Sequence, residues 1–269
     1  MTEALFVADG DRFKPTELTR GGWSDHTQHG SPPSGLLARA VDLVPTAVPM
    51  QVVRFTVDLF RPVPMEPLVT RTVVRRDGKR IQVVDSYLEA DGVEVGRVSA
   101  LKIRIADLPL EPLPLDWKGP PPPADVPLFE WGDTFGEHGR LSRFHHDAVE
   151  IRSVDQSFAV PGPGLSWFRL LVPVIEGEEP SPFVKLATLA DLSNGNSMSL
   201  DPQQWIFVNP DITLYAHRLP SGEWVGMRSV AAQWRTGIGM ADTLVFDESG
   251  PLGRINQAQL LDFRSQPGT

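Results

Sequence analysis

The chain contains no cysteine, which excludes disulfides, thiolate nucleophiles and Cys-ligated metal. It also lacks positive charge in excess. The 25 Lys and Arg face 34 Asp and Glu, for a formal net charge of −9, and this argues against nonspecific binding to nucleic acid or to an anionic membrane. No apolar run approaches the length of a membrane span. Residues 1–10 (M-T-E-A-L-F-V-A-D-G) have neither a basic leader nor a long apolar stretch, so the expected location is the cytoplasm. No G-x-S-x-G nucleophile elbow is present, so a covalent serine route lacks its signature.

What remains is the composition of a soluble globular protein, with 41% hydrophobic and 22% charged residues. A length of 269 residues can bury one large core or two ordinary ones. The organising stretch is His29 to Val44, H-G-S-P-P-S-G-L-L-A-R-A-V-D-L-V. Leu36, Leu37, Ala40, Val41 and Leu43/Val44 recur at helical spacing, while Arg39 and Asp42 fall outside that stripe. This predicts one largely buried helix with Ser34 as its N-cap. Gly30 and Gly35 permit close approach of a chain or ligand near its start.

Strand patterns surround this helix. Ala4 to Arg20 reads as a hairpin turning at Asp9-Gly10. Met50 to Phe60, Leu68 to Arg76, Arg80 to Ala90 and Val93 to Ile105 read as an antiparallel meander. Residues 108–127 then carry so many prolines that they can neither join a sheet nor continue a helix. They divide the chain into an N-terminal unit (1–107), a connector (108–127) and a C-terminal unit (128–269).

The second unit repeats the plan of the first. Phe144 to Ile151 and Leu165 to Val172 read as strands, and Pro182 to Leu192 as a helix capped by Ser181. Trp205 to Tyr215, Glu223 to Arg235, Ala241 to Phe246 and Gly253 to Phe263 read as further strands. Residues also repeat. F-T-V-D-L-F-R-P-V-P at 55–64 matches P-D-I-T-L-Y-A-H-R-L-P at 210–220 with an offset of 155 (211 − 56). A-D-G-V-E-V-G-R-V at 90–98 matches D-E-S-G-P-L-G-R-I at 247–255 with an offset of 157 (254 − 97). A-V-D-L of the first helix matches L-A-D-L of the second with an offset of 149 (191 − 42). Three ordered matches at near-constant offset indicate an internal duplication.

A buried helix enclosed by an antiparallel sheet, present twice, resembles the double hotdog acyl-CoA thioesterases of the TesB-like branch. The resemblance covers nearly the whole chain. It is carried by G-G-W-S-D-H-T-Q-H-G-S-P-P-S-G-L-L-A-R-A in the first unit, and by V-N-P-D-I-T-L-Y-A-H-R and R-I-N-Q-A-Q in the second. It implies an α+β fold of two tandem helix-wrapped units with merged sheets. It also implies an acyl-CoA substrate, no separate cofactor or metal, and a water held against the thioester by an acid, a polar residue and a glutamine. Carried over by position, the acid is Asp211, the last-strand glutamine is Gln257, and the middle residue falls on Gln233, where the family commonly has Thr.

The chemistry stands without the analogy. A carboxylate with two amides is enough to position a nucleophilic water, and backbone N–H groups at a helix start can hold an oxyanion. Gly30 is the candidate there. Thr56 and Ala100 occupy the places of Asp211 and Gln257 in the first unit, so one site per chain is expected.

Other features have plainer readings. Asp25, His26 and His29 are loosely spaced for a metal and fit a polar loop near a mouth. His145-His146-Asp147 reads as a strand with a polar outer face, and Gly237-Ile238-Gly239 as a turn or bulge. Arg71, Arg75, Arg76, Lys79 and Arg80 form a basic run that is either a solvated face or a grip for phosphates. The tryptophans read as core or interface. Two rival functions stay open: a hotdog enoyl-CoA hydratase, and a noncatalytic acyl-CoA or lipid binder. The expected partners are small molecules, with the chain a monomer or a homo-oligomer through sheet edges.

Overall fold

In the computed structural model, residues 3–22, 24–111, 117–131, 142–155, 158 and 160–264 are described. Strands β1 (Phe6–Asp9) and β2 (Arg12–Pro15) form the expected hairpin, with Gly10 at φ +64 in its turn. Helix α1 (Ser31–Asp42) follows, then β3 (Met50–Leu59), β4 (Leu68–Asp77), β5 (Ile81–Ala90) and β6 (Val93–Arg104). The second unit contributes β7 (Val149–Ser153), β8 (Gly164–Leu170), α2 (Pro182–Leu189) and α3 (Leu192–Asn196). It ends with β9 (Trp205–Val208), β10 (Asp211–Ala216), β11 (Val225–Trp234), β12 (Ile238–Asp247) and β13 (Gly250–Phe263).

All the strands belong to one antiparallel sheet ordered β1-β2-β4-β5-β6-β3-β10-β13-β12-β11-β8-β7, with β9 added beside β13. The order is palindromic, because β3, β6 and β5 of one unit answer to β10, β13 and β12 of the other. At the seam β3 pairs with β10, with Asp58 opposite Asp211 and Thr56 opposite Thr213. Adding 155 to Asp58 gives Thr213 and subtracting it from Asp211 gives Thr56, so the pairs interchange under the offset found in the sequence. The duplication is therefore a pseudo-two-fold axis through the seam, and the fold is the expected α+β double hotdog.

The helices lie together on the inner face of this sheet. Leu36, Leu37, Ala38 and Val41 of α1 are fully buried, as are Leu186, Ala187 and Leu189 of α2. The two helices cross at Gly35, where an added Cβ would stand 2.4 Å from Thr188 Oγ1. Thr188 is held there by donating its hydroxyl to Val184 O at 2.7 Å.

Several local readings need correction. Helix α1 begins at Ser31 with Gly30 as its N-cap, and Ser34 lies inside it, its Oγ donating to Gly30 O at 2.8 Å. Pro32 and Pro33 are tolerated because first-turn N–H groups have no helical partner to lose. Residues Phe144–Ala148 form a single wide helical turn, and the strand starts only at Val149. The apolar stretch 205–215 is two strands, broken at Asn209-Pro210 because proline brings no N–H to a ladder. Ser181 caps α2 as expected, accepting from Val184 N at 3.2 Å. Among the tryptophans, Trp167 is buried, but Trp234 is 68% exposed. Trp23 lies outside the described residues.

Asp247 anchors the far end of the second unit. It accepts both arms of Arg218, at 2.6 and 2.7 Å, and N–H groups from Ser221 and Ser249. Burial alone would raise its carboxyl, but the guanidinium and the backbone donors outweigh it and hold it at about 2.

Two predictions follow from this packing. Gly35→Ala should cost about 1–3 kcal/mol of unfolding free energy by denaturant titration, since the helix pair must separate or Thr188 must turn. For Asp247, a folded value below the unfolded value of about 3.9 means that its contribution is complete above about pH 4 and is lost as pH falls through about 2. Stability measured from pH 5 to pH 2 should therefore fall less steeply in Asp247→Asn than in the parent.

Candidate active site

A cavity of about 450 Å³ opens where the two units meet, a size that suits a small-molecule site. Its wall takes Gln28, His29 and Gly30 from the loop before α1 and residues 59–63 from the end of β3. The second unit adds Asp191, Leu192 and Asn194 from the helices, residues 207–210 from the strand break, and Trp131, Ser142 and His145. The loop before α1 is fixed on both sides. Gln28 N donates to Val63 O at 2.8 Å, its side chain to Pro64 O at 2.7 Å, and His29 N to Thr19 O at 2.8 Å.

The carboxylate at this cavity is Asp191, at the break between α2 and α3, and it is 5% exposed. Asp191 Oδ1 accepts from Asn209 Nδ2 at 2.7 Å and from Gln257 Nε2 at 3.3 Å. Gln257 is itself fixed by a hydrogen bond from Ser193 Oγ. The Asn209 amide has one orientation, because its Oδ1 accepts from Asn194 Nδ2 at 3.0 Å. Asn194 Oδ1 accepts from Gln259 Nε2 at 2.7 Å, and Gln259 Oε1 from Gln233 Nε2 at 3.3 Å. Four amides thus donate in one direction, from Gln233 through Gln259, Asn194 and Asn209, and end on the carboxylate. Each donor polarises the next, so Asn209 meets the Asp191 carboxyl as the last of a cooperative series of donors.

On its other side Asp191 meets the start of α1. Its Oδ2 is 3.2 Å from His29 Nδ1 and would be 2.7 Å from a Cβ on Gly30. Prolines at 32 and 33 carry no N–H, and Ser31 N donates to His29 Nδ1 at 3.1 Å. The N–H of Gly30 has no partner among the described residues. It is therefore a free donor at the positive end of a buried helix. His29 stacks on Phe144 with ring centroids 5.0 Å apart and meets the edge of His145 at 4.5 Å. His145 Nδ1 is 2.7 Å from Ser142 Oγ. Burial lowers the pKa of His29 against the pull of Asp191, and lowers that of His145 further, with help from the neighbouring histidines. Both rings are neutral near pH 7.

The residues read from the sequence are thus only partly brought together. Gly30 and Gln257 converge on one carboxyl group, with Gln257 behind the cavity wall. Asp211 does not join them. Strand alternation turns it to the outer face of the sheet with Thr213 and Tyr215, and its Oδ1 accepts from Ala258 N at 2.7 Å. Gln233 stands at the remote end of the amide chain, outside the wall. His29 and His145, read as loop and strand residues, are in the wall. Asp191 carried a signal in the L-A-D-L repeat, and Asn209 carried one in the proline after it.

Among the described residues the first unit assembles no such cluster. Asp42, the repeat partner of Asp191, is exposed, and Ala100 fills the place of Gln257. Lys102, the repeat partner of Gln259 (259 − 157), instead donates to Val44 O at 2.9 Å, just past the end of α1. Among the described residues no group of three or more His, Asp or Glu is placed to hold a metal. Arg71 and Arg75 of the basic run pair with Glu89, Glu94 and Asp85, away from the cavity.

The profile of the acyl-CoA thioesterase N-terminal domain matches residues 19–103, and that of the C-terminal domain matches residues 118–261. The chain belongs to the acyl-CoA thioesterase family. Its fold is similar to that of a hot dog protein from Alicyclobacillus acidocaldarius, at 18% identity over 97% of this chain and 96% of the other, with a TM-score of 0.71. It is also similar to an acyl-CoA thioesterase II, TesB2, from Mycobacterium marinum, at 16% identity over 100% and 96%, with a TM-score of 0.67. No curated protein sequence matches the chain. None of the described helices is long and apolar enough to cross a membrane.

The contact between Gly30 and Asp191 gives a direct test in this family member. Gly30 has ordinary helical angles (φ −67, ψ −22), so alanine is strained only by the carboxylate it would displace. Gly30→Ala should lower thioester turnover about a hundredfold while the thermal midpoint shifts by only a few degrees.

Proposed function

We propose that the cavity hydrolyses an acyl-CoA thioester with Asp191 as the general base. The observation that carries this is a buried carboxylate in the cavity wall, the one acid among its described residues, oriented by Asn209 and Gln257 and packed against Gly30. Asp191 takes a proton from a water as that water attacks the carbonyl carbon. The Gly30 N–H, at the start of α1, faces the charge that develops on the carbonyl oxygen. The C–S bond then breaks, and the thiol and the carboxylic acid leave without a covalent enzyme intermediate. Asn209 and Gln257 position the base, and Gln233 acts only through the amide chain. Arg61 and Arg264 in the cavity wall supply positive charge for a phosphate-bearing coenzyme on an otherwise acidic protein. This reading moves the acid from Asp211 to Asp191 and needs no metal or added cofactor.

The juxtaposition of His29 with Asp191 favours a second reading, reversible addition of water to an enoyl thioester. One assay separates the two. Incubation with acyl-CoAs of graded chain length should release free thiol, detected by a disulfide chromogen. An enoyl-CoA hydrated with no thiol released would favour the second reading, and binding with neither reaction would leave a carrier. Asp191→Asn should lower thiol release by at least about a thousandfold. Asp211→Asn should stay within about twofold of the parent, because its amide oxygen can still accept from Ala258 N. The opposite ranking of these two variants would sink the assignment.

A further inference from the structure

His29 has one ring nitrogen caught between two groups of opposite demand. Its Nδ1 accepts the Ser31 N–H at 3.1 Å, so that nitrogen presents a lone pair and the ring proton sits on Nε2. The same Nδ1 lies 3.2 Å from Asp191 Oδ2, with the two side chains only 12% and 6% exposed. While Asp191 is ionised, a lone pair therefore faces a carboxylate oxygen across a nearly dry contact. Once Asp191 gains a proton, its carboxyl can donate to Nδ1 in place of the Ser31 N–H, because that nitrogen has a single lone pair. A proton taken up by Asp191 thus has its next acceptor 3.2 Å away.

We infer that His29 is the proton carrier of the reaction: it receives through Nδ1 the proton that Asp191 takes from water and gives the Nε2 proton to the departing sulfur. This rests on the thioesterase reading above. The balance is complete. Water loses one proton to Asp191 and its oxygen bonds to the carbonyl carbon. The C–S bond breaks with its electron pair on sulfur. Asp191 returns to the carboxylate as Nδ1 is protonated, and the Nε2 proton makes the thiol; the ring then loses its Nδ1 proton to solvent and regains one at Nε2, and Nδ1 again accepts the Ser31 N–H. His29 is adjacent in sequence to Gly30, and both residues line the cavity. Phe144 stacked on one face and His145 at the edge hold the ring in that place. The lowered basicity of His29, caused by its burial, makes its protonated form a readier donor to a thiolate.

The test varies the leaving group. His29→Asn keeps an acceptor near the position of Nδ1 but cannot carry a proton. Each enzyme is given two thioesters of the same acyl group, one of coenzyme A and one of nitrothiophenol, whose acidic thiol leaves without protonation. In His29→Asn, kcat for the acyl-CoA should fall about a hundredfold, while kcat for the nitrothiophenyl ester should fall less than about fivefold. Retained turnover of the second ester also shows that the variant is folded. Asp191→Asn should lose both activities. Equal losses of His29→Asn on the two esters, or no loss on either, would overturn the role of His29 and leave Asp191 as base intact. A parent enzyme that cleaves neither ester would instead overturn the thioesterase reading. As a readout independent of turnover, the ¹⁵N spectrum of the resting protein should show His29 neutral with its proton on Nε2. A proton on Nδ1 would contradict the carrier.

Discussion

The close crossing of two buried helices governs this molecule. Where α1 meets α2, Gly35 leaves room for Thr188, and one turn away Gly30 leaves room for the carboxylate of Asp191. Interiors are packed too tightly to absorb an extra methyl at such a contact, so the separation of the helices is set by these two glycines. The proposed site is measured from that crossing. It brings the start of the first unit's helix, with its unpaired N–H and its histidine, to the acid of the second unit. The sheet then wraps this pair and closes the cavity from outside.

Among the described residues, only one half of a nearly symmetric molecule carries the buried carboxylate and its amides. The pseudo-two-fold axis maps each strand of one unit onto a strand of the other, yet the inward positions have diverged. In the second unit they hold amides that reach Asp191. In the first they hold Ala100, which adds to the core, and Gln82 and Lys102, which satisfy the carbonyls of Pro45 and Val44 at the end of α1. Buried polar groups must find partners. In one unit these donors hold the chain just past a helix, and in the other they orient a carboxylate.

Most of the fold was legible in the sequence because its signals are periodic and repeated. The strands of both meanders, the capped helix at Ser181 and the offset of 155 that defines the seam all rest on alternation or self-similarity. The reading failed where one residue outweighed the local pattern. Pro210 broke an apolar stretch that alternated well, and the turn at Phe144–Ala148 used residues that suit a strand equally. The site was read less well for a related reason. Asp211 and Asp191 lie 20 residues apart, and only the folded chain shows that strand alternation turns the first to the outer face while the break between α2 and α3 holds the second at the cavity. His29 gave no sequence signal beyond a polar loop, since its partner is contributed by the other unit.

The seam between β3 and β10 has a further consequence. In a protein built from two separate chains, the halves of such a site would meet only by association, and their union would weaken as the protein is diluted. Here both halves are tethered, so each sees the other at a fixed and high effective concentration. The composite cavity therefore persists at any protein level the cell maintains, and each half can accumulate substitutions that its neighbour need not share.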